Sequence, residues 1–176
     1  SKVDIFLGDE RCVDPRSELS NSLMLKNSLL TKYGSKAFFY EIFSDKKLED
    51  NMSKKLLISK INEKCDGYPP SFDLTLLGLG DDGHTASLFP YQKNNNADDL
   101  VIFNDGKGLK RISLTPKVLS ASSKIIFLVS GASKQLALKR LLDKNESQER
   151  TPSKLIKSSN QISIFCDEES SKELSI

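Results

Sequence analysis

The chain has 176 residues, of which 38% are hydrophobic and 28% are charged, as in an ordinary globular protein. Its 26 basic and 24 acidic side chains leave a net charge of only +2, so the charge balance favours neither nucleic acid nor an anionic membrane as a partner. No apolar run approaches the ~20 residues that cross a bilayer, and the first residues show no signal-peptide pattern.

The length is typical of one domain, which we expect to occupy residues 1–176. The three cysteines, Cys12, Cys65 and Cys166, are far apart and odd in number, so they predict neither a disulfide framework nor a set of zinc ligands. Because the chain also has a single histidine, no metal site is expected. Unpaired cysteines are typical of a reducing compartment, so the expected location is the cytoplasm.

The first two predicted elements are a strand and a capped helix. A short apolar run that ends in glycine predicts a strand over 3–8. Ser20 and Asn21 are residue types that favour a helix N-cap, and they precede a periodic apolar segment. A helix is therefore expected over 20–33, closed by Gly34.

A second round of strand and helix patterns follows. Apolar runs predict strands over 37–43 and 72–77. Between them, apolar residues recur at helical spacing and predict an amphipathic helix over 48–64. The polar stretch 66–71 is expected to be a surface loop.

The second half continues the alternation. Strands are predicted over 111–114, 124–129 and 161–165, and a helix is predicted over 133–142. The unbroken apolar run in the second of these strands is typical of a strand that is buried on both faces. The polar segments 92–99 and 143–153 are expected to be loops.

Strands that alternate with helices predict an α/β fold built from parallel βαβ units. The first predicted strand starts only three residues into the chain. Because a central parallel strand needs neighbours on both sides, we expect a further amino-terminal portion that supplies one of them.

Residues 76–90 carry the most informative pattern, an apolar strand that runs into a glycine-rich turn with His84, the single histidine, two positions after Asp82. Ligands of open α/β sheets bind at the carboxyl ends of strands. A carboxylate beside an imidazole fixes its tautomer and raises its basicity, which makes His84 a candidate general base. The alternative is a hydrogen-bonded histidine with a structural role, and the position of His84 among glycines and acids favours function.

The segment 78–83 also matches the GxGxxG pattern of dinucleotide-binding folds, with Asp98 at about the spacing of ~20 residues for a ribose ligand. That interpretation is weak. Asp81 and Asp82 would face a pyrophosphate where a helix should offer only amides, and Pro90 interrupts the helix that the motif requires.

Asp9, Glu10 and Arg11 follow the first predicted strand as residues 78–83 follow the third. Parallel strands point the same way, so both segments are expected at one edge of the sheet. There, Arg11 is a candidate for polarising a carbonyl or holding an anion. The alternative, a surface ion pair, is equally compatible with this spacing.

Two further cations are candidates for binding an anion. Arg111 starts a predicted strand, and Lys134 opens a predicted helix directly after a glycine turn at Gly131. Helix amides together with a lysine form a natural phosphate site. The alternative for Lys134 is a solvated side chain, although basic residues are disfavoured at a helix start.

At these positions the chain resembles the 6-phosphogluconolactonases of the glucosamine-6-phosphate isomerase/6-phosphogluconolactonase family. The matching segments occur in the family's order and span most of the chain, and the block HTASLFP is the most specific of them. They are Asp9-Glu10-Arg11 with Ser20-Asn21, residues 78–90, Arg111-Ile-Ser-Leu-Thr115, and Gly131 with Lys134.

The resemblance implies a Rossmann-like α/β fold with a mostly parallel sheet flanked by helices on both faces. It implies cofactor-free hydrolysis of 6-phospho-D-glucono-1,5-lactone to 6-phosphogluconate, in the oxidative pentose phosphate pathway. By this resemblance, His84 is the expected catalytic base, Asp82 is its partner, and Arg11 contacts the substrate. The substrate- and phosphate-binding positions are Arg111, Lys134, Asn21 and Gly83.

The family's earlier strand, with a Gly-Gly-Ser-Thr-Pro-like phosphate loop, has no match in this sequence. We therefore expect residues 1–176 to be the carboxyl-terminal part of the family domain. Family members are sometimes fused to glucose-6-phosphate dehydrogenase, so fusion to that enzyme or association with it is a further expectation.

Two other functions are compatible with the same fold. The related sugar-phosphate deaminases and isomerases resemble DGHIAFNEP in this block, with a glutamate five residues after the histidine, where this chain has Phe89. A non-catalytic sugar-phosphate sensor would keep Arg111 and Lys134 but would not need the Asp82–His84 pair. Both comparisons favour the lactonase.

Overall fold

A computed structural model of the chain describes residues 3–33, 36–43, 50–93 and 99–174. These residues contain eight strands, which are, in chain order, β1 (Val3–Phe6), β2 (Asp9–Arg11), β3 (Ala37–Tyr40), β4 (Thr75–Gly78), β5 (Val101–Gly106), β6 (Leu109–Leu114), β7 (Ile125–Val129) and β8 (Ile162–Cys166). Gly34, Asp98 and the first two residues of the helix predicted over 48–64 lie outside the described residues.

The helical elements of the described residues lie between and after these strands, except that no helix separates β1 from β2 or divides β4, β5 and β6. They are α1 (Asn21–Leu25), a π-helical turn (Lys26–Leu30), α2 (Thr31–Tyr33), α3 (Asp50–Lys64), α4 (Pro116–Ser120), α5 (Gln135–Leu142) and α6 (Glu168–Ser171), with 3-10 turns at Ala132–Lys134 and Pro152–Leu155. Ser20 is the N-cap of α1, as predicted, and its side chain accepts a hydrogen bond from the backbone N–H of Leu23.

Two of the sheets are parallel. β1 pairs with β3, and β7 lies between β4 and β8, with Leu77 opposite Phe127 and Phe127 opposite Ile164. The predicted α/β architecture is therefore confirmed. Among the described residues, β1 and β4 each have one hydrogen-bonded neighbour. The expected additional strand and its phosphate loop stay a prediction.

The third sheet is antiparallel, in the order β2-β6-β5. This corrects the expectation that the strand near 111–114 belongs to a parallel unit. The antiparallel pairing of β5 and β6 follows from the two residues that connect them. Lys107 (φ +53°) and Gly108 (φ +78°) both adopt the left-handed backbone conformation. Two consecutive residues with positive φ make the tight turn that joins adjacent antiparallel strands.

Other expectations were wrong in detail. β3 ends earlier than the predicted 37–43, and β4 starts later than the predicted 72–77. β7 is buried on one face only, because Leu128 is 52% exposed where burial on both faces was expected. Four short or polar elements, β2, β5, α4 and α6, were not predicted.

The hydrophobic core lies between the sheets and the helices α3, α4 and α5. Its fully buried side chains include Ile61, Leu119, Ile125, Phe127 and Leu138. Burial of each such side chain stabilises the fold by roughly 1.5–3 kcal/mol. No helix among the described residues is long and apolar enough to span a bilayer.

Candidate active site

The site is built on the turn that follows β4. In this turn the N–H of Gly80 donates to the carbonyl of His84 (2.8 Å), and the N–H of Gly83 donates to the carbonyl of Gly80 (3.0 Å). Gly83 has a φ of +90°, and a Cβ there would lie 3.0 Å from Thr151 Cγ2. The carbonyl of Gly83 accepts from the N–H of Ser153 (3.0 Å). Both backbone polar groups of Gly83 therefore have partners within the chain, and its contact with substrate stays a prediction.

Asp82 and His84 form the pair that the sequence predicts. Asp82 Oδ1 lies 2.5 Å from His84 Nδ1 and also accepts from the backbone N–H of His84 (3.0 Å). Burial raises the pKa of Asp82, but these hydrogen bonds outweigh burial, and the pKa lies below its ordinary value. The ionised carboxylate binds Nδ1–H, and this tautomer leaves the lone pair on Nε2.

The block that follows His84 anchors the turn in the core. Thr85, Ser87, Leu88 and Phe89 are all less than 5% exposed. Ala86 has a φ of +48°, a backbone conformation that costs energy for any residue except glycine. Strain of this kind persists only where the surrounding packing imposes it. The buried residues 85–89 therefore fix the backbone that carries His84.

Asp9 connects this block to the antiparallel sheet. Ser87 Oγ donates to Asp9 Oδ2 (2.5 Å), and the same oxygen lies 3.7 Å from Arg111 Nη1. Burial raises the pKa of Asp9, while Ser87, Arg111 and Arg11 act in the opposite direction. Burial and the charge of Arg11 lower the pKa of Arg111, which remains a cation at any ordinary pH. β2 thus contacts the block that follows His84, but β1 and β4 belong to different sheets of the described residues, so the common sheet edge expected for residues 9–11 and 78–83 stays a prediction.

Phe89 lies between the imidazole and a guanidinium group. Its ring centroid is 4.8 Å from that of His84 and 5.4 Å from the guanidinium carbon of Arg111. The Arg111 side chain is 8% exposed, and its Nε–H donates to the carbonyl of Gly106. Arg111 is thus a largely buried cation behind the ring of Phe89.

Arg11 lies opposite Arg111 in the β2–β6 register. Its Nη1 donates to the carbonyl of Leu19 (2.7 Å), whereas its buried Nε has no hydrogen-bond partner in the described chain. A buried guanidinium N–H without a hydrogen-bond partner is costly, so this arginine carries one unsatisfied donor.

Glu10 fixes the position of this arginine, a role that sequence analysis missed. Its buried carboxylate accepts from the backbone N–H groups of Asn21 and Ser22 (both 2.7 Å) and from Ser20 Oγ (3.1 Å). It therefore joins β2 to the amino terminus of α1. Asn21 Nδ2 donates to the carbonyl of Asp9 (3.0 Å), so Asn21 supports β2, and its substrate contact stays a prediction.

Lys134 lies at the end of the 3-10 turn before α5. The glycine turn that precedes it already binds the carboxylate of Asp167. The N–H of Gly131 donates to both carboxylate oxygens of Asp167 (3.1 and 3.0 Å), and Ser130 Oγ donates to one of them (2.6 Å). This amide therefore has an internal anion as its partner. The Gly131 amide is therefore not open to a phosphate, and the phosphate contacts of Lys134 and Arg111 stay predictions.

Lys107, at the tip of the β5–β6 hairpin, contacts the active-site turn. Its Nζ lies 3.0 Å from Asp81 Oδ1. Lys107, and more weakly Lys134, hold the pKa of Asp81 below its ordinary value. The charge of Lys134 thus acts on the same turn as the Asp82–His84 pair.

Asp81, Asp82 and His84 offer ligand atoms within 4.8 Å of one another, the geometry of a possible metal site. Two of these groups have other partners, because Asp82 Oδ1 accepts two hydrogen bonds from His84 and Asp81 Oδ1 binds Lys107. A cation bound through these two oxygens would have to break these contacts. The expectation that the site uses no metal or cofactor stays a prediction.

His84, Asp82, Arg11 and Arg111 thus lie on elements that contact one another, which are the turn after β4, β2 and β6. Sequence analysis missed Asp9, Ser87 and Glu10 as parts of this site. Asp9 and Glu10 were visible as acids beside Arg11, but the sequence did not show that Glu10 is buried or that Asp9 contacts Ser87 and Arg111. Ser87 had no signal of its own, because its partner Asp9 is 78 positions away in the chain.

Comparison with known proteins defines the family. The sequence model described as "Glucosamine-6-phosphate isomerases/6-phosphogluconolactonase" matches residues 1–164. The chain belongs to this family. A 6-phosphogluconolactonase of Nostoc sp. strain PCC 7120 is 31% identical over 181 residues, which cover 99% of this chain and 75% of that protein.

Solved structures agree with this assignment. The 6-phosphogluconolactonase of Thermotoga maritima is 28% identical and superposes with a TM-score of 0.76, covering 92% of this chain and 71% of that one. A monomeric glucosamine-6-phosphate deaminase superposes with a TM-score of 0.71 at 17% identity, covering 94% and 72%. At that identity the likeness shows the fold alone, so the fold does not separate lactone hydrolysis from deamination.

Proposed function

We propose that the protein hydrolyses 6-phospho-D-glucono-1,5-lactone to 6-phospho-D-gluconate, the lactone-opening step of the oxidative pentose phosphate pathway in the cytoplasm. The observation that carries the proposal is the Asp82–His84 pair, with 2.5 Å between carboxylate and imidazole, at the carboxyl end of a parallel strand. A lactone is already electrophilic, so its hydrolysis needs little more than an activated water and a stabilised oxyanion.

In the proposed mechanism His84 is the general base. Asp82 holds the Nδ1–H, and the Nε2 lone pair takes a proton from water while the water oxygen bonds to the lactone carbonyl carbon. The tetrahedral intermediate then breaks its bond to the ring oxygen, and the imidazolium returns the proton to that oxygen. The products are a hydroxyl group and a carboxylic acid, which ionises. No covalent enzyme intermediate is needed.

Arg11 is the proposed group that stabilises the oxyanion. Its buried Nε–H has no partner within the described residues, so a substrate oxygen would satisfy a donor that is otherwise unpaired. The nearby cation Arg111 adds positive potential, which Asp9 only partly neutralises. Because Glu10 and α1 hold β2 in place, this donor is preorganised.

The proposed phosphate ligands are Lys134 and Arg111. The side chain of Lys134 is partly exposed, and its charge reaches Asp81 in the active-site turn. Arg111 is largely buried behind Phe89, so we expect Lys134 to make the direct contact and Arg111 to contribute mainly through its charge.

The alternative reaction on this fold, sugar-phosphate deamination, is disfavoured by Phe89. The glutamate of the resembling deaminases is replaced by a ring that is 4% exposed and packs against His84. A phenyl ring cannot transfer a proton. The Asp82 carboxylate beside His84 binds the imidazole, and an oxygen of Asp9 binds Ser87, so both acids already have partners.

The test compares both reactions in the full-length protein. Lactone opening is followed by release of acid from freshly made 6-phosphogluconolactone, with spontaneous hydrolysis subtracted, and deamination is followed by ammonia release from glucosamine 6-phosphate. We expect the first reaction only. Ammonia release at a comparable rate would contradict the assignment, and tight binding of 6-phosphogluconate without turnover would indicate a sensor.

A further inference from the structure

Gly80 lies in van der Waals contact with the imidazole and carboxylate of the Asp82–His84 pair. A Cβ built on Gly80 would lie 2.7 Å from Asp82 Oδ1 and still closer to Nδ1 and Cε1 of His84. Real Cβ contacts are not this short, so any other residue at position 80 must displace the ring or the carboxylate. No other glycine of the described chain has atoms of the pair among the nearest neighbours of its Cβ position.

The backbone does not explain this glycine. Gly83 and Gly131 have φ values of +90° and +94°, whereas Gly80 lies outside the left-handed region and an alanine could adopt its conformation. Its two backbone hydrogen bonds, to the carbonyl of His84 and from the N–H of Gly83, would also survive a substitution. What position 80 requires is empty space beside the ring.

We propose that Gly80 is a positioning residue of the active site. Because it has no side chain, it leaves the space that the His84 ring needs to contact the Asp82 carboxylate. The proposal rests on the proposed function, because the pair that Gly80 positions is the proposed catalytic base and its partner. It adds a steric requirement to that site. Any side chain at position 80 separates the imidazole from its carboxylate.

The atoms that meet the added Cβ belong to side chains, which can rotate away without moving the backbone. Gly80→Ala is therefore expected to fold and to lose the Nδ1–Oδ1 contact. Gly78→Ala is the matched control. It makes the same change two residues earlier, where a Cβ would have no neighbour within 4 Å.

The first readout is spectroscopic and does not depend on catalysis. His84 is the single histidine of residues 1–176, and its ring ¹⁵N signals are identified as those absent from labelled His84→Asn protein. We expect wild type and Gly78→Ala to show Nδ1–H as the dominant neutral tautomer, and Gly80→Ala to show a shift toward the Nε2–H form that is usual in water. Identical spectra for Gly80→Ala and wild type would overturn the proposal.

The second readout is the rate of lactone opening. We expect Gly80→Ala to lower kcat by about 10- to 100-fold, as for other groups that orient a histidine, with little change in KM. The double variant Gly80→Ala/Asp82→Asn should be scarcely slower than Gly80→Ala, because both changes remove the same contact. Additive losses, or equal losses in Gly78→Ala, would contradict a positioning role. If wild type opens no lactone, the proposed function fails, whereas the spectra still test the position of His84.

Discussion

Two turns of the molecule have the same construction and different roles. One follows β4 and the other follows β7, and these strands are neighbours in the same parallel sheet. Each turn contains one left-handed glycine, Gly83 or Gly131, and each is held by an aspartate. Both therefore lie at the sheet edge where ligands of α/β folds bind.

The difference is what the aspartate binds. In the first turn, Asp82 accepts hydrogen bonds from the ring and backbone of His84, so the carboxylate orients a group that exchanges protons. In the second turn, Asp167 accepts from Ser130 and Gly131, so the carboxylate takes up donors that a phosphate would otherwise use. A glycine turn at this edge is thus insufficient to predict an anion site, because the donors are open only if no internal carboxylate reaches them.

The largest effect is expected from removing the base in the first turn. His84→Asn should lower kcat by about 10²- to 10⁴-fold, the usual loss for a general base, with KM nearly unchanged. Initial rates at several substrate concentrations, after subtraction of spontaneous hydrolysis, measure both constants. Circular dichroism checks the fold, because His84 also packs on Phe89. A folded variant with wild-type kcat would make His84 a structural residue.

A smaller loss is expected from Asp82→Asn, which leaves the base in place. The amide is nearly isosteric but no longer stabilises Nδ1–H or the imidazolium, so kcat should fall by at least about 10- to 100-fold, the loss typical of groups that orient a histidine, and by less than in His84→Asn. The same assay gives the comparison with His84→Asn. A loss as large as that of the histidine variant would mean that Asp82 does more than orient the ring.

The second turn is tested through Lys134, the part of the predicted phosphate site that Asp167 does not occupy. Lys134→Ala should raise KM for the phosphorylated lactone about tenfold or more, the effect of one charge-assisted hydrogen bond, and should leave kinetics with unphosphorylated gluconolactone unchanged. Lys139→Ala is the matched control, because Lys139 lies on α5 and its nearest anion is Glu173 at 3.8 Å. Equal KM values for both variants would remove Lys134 from the phosphate site.

The first turn could be predicted from sequence because its partners are local. Asp82 and His84 are two residues apart in a segment that cannot be helical, so their side chains were expected to meet. Asp167 reaches Gly131 from 36 residues away, and Ser87 reaches Asp9 from 78 residues away. Contacts of this kind depend on how the whole sheet folds, and no periodicity in the chain reports them.

The same distinction explains the fold predictions. The apolar runs of β7 and β8 identify strands by themselves. β5 was missed because it ends in Asn104-Asp105-Gly106, which reads as a loop. The available signal was the turn at Lys107-Gly108, since a lysine-glycine pair between two strand patterns is compatible with a tight hairpin.

Stability, in contrast to catalysis, is expected to depend on the second turn. Asp167 caps α6 through the N–H of Ser170 and also holds Ser130 and Gly131. Asp167→Ala should lower Tm by about 2–4 °C, the effect of losing one helix cap, with kcat unchanged. Thermal denaturation followed by circular dichroism measures the shift. An unchanged Tm would show that these hydrogen bonds are replaced by water without loss.

The smallest expected effect is the pH dependence of that contribution. Hydrogen bonds from Ser130, Ser170 and Gly131 hold the pKa of Asp167 well below its ordinary value of 3.8. A carboxyl group whose pKa is lower in the folded than in the unfolded state stabilises the fold fully above its unfolded pKa, and the contribution is lost as the pH falls toward the folded pKa. The Tm difference between wild type and Asp167→Asn should therefore be constant from about pH 5 to pH 8 and should shrink below about pH 4. A difference that persists unchanged at about pH 2 would mean that the charge of Asp167 does not hold the second turn.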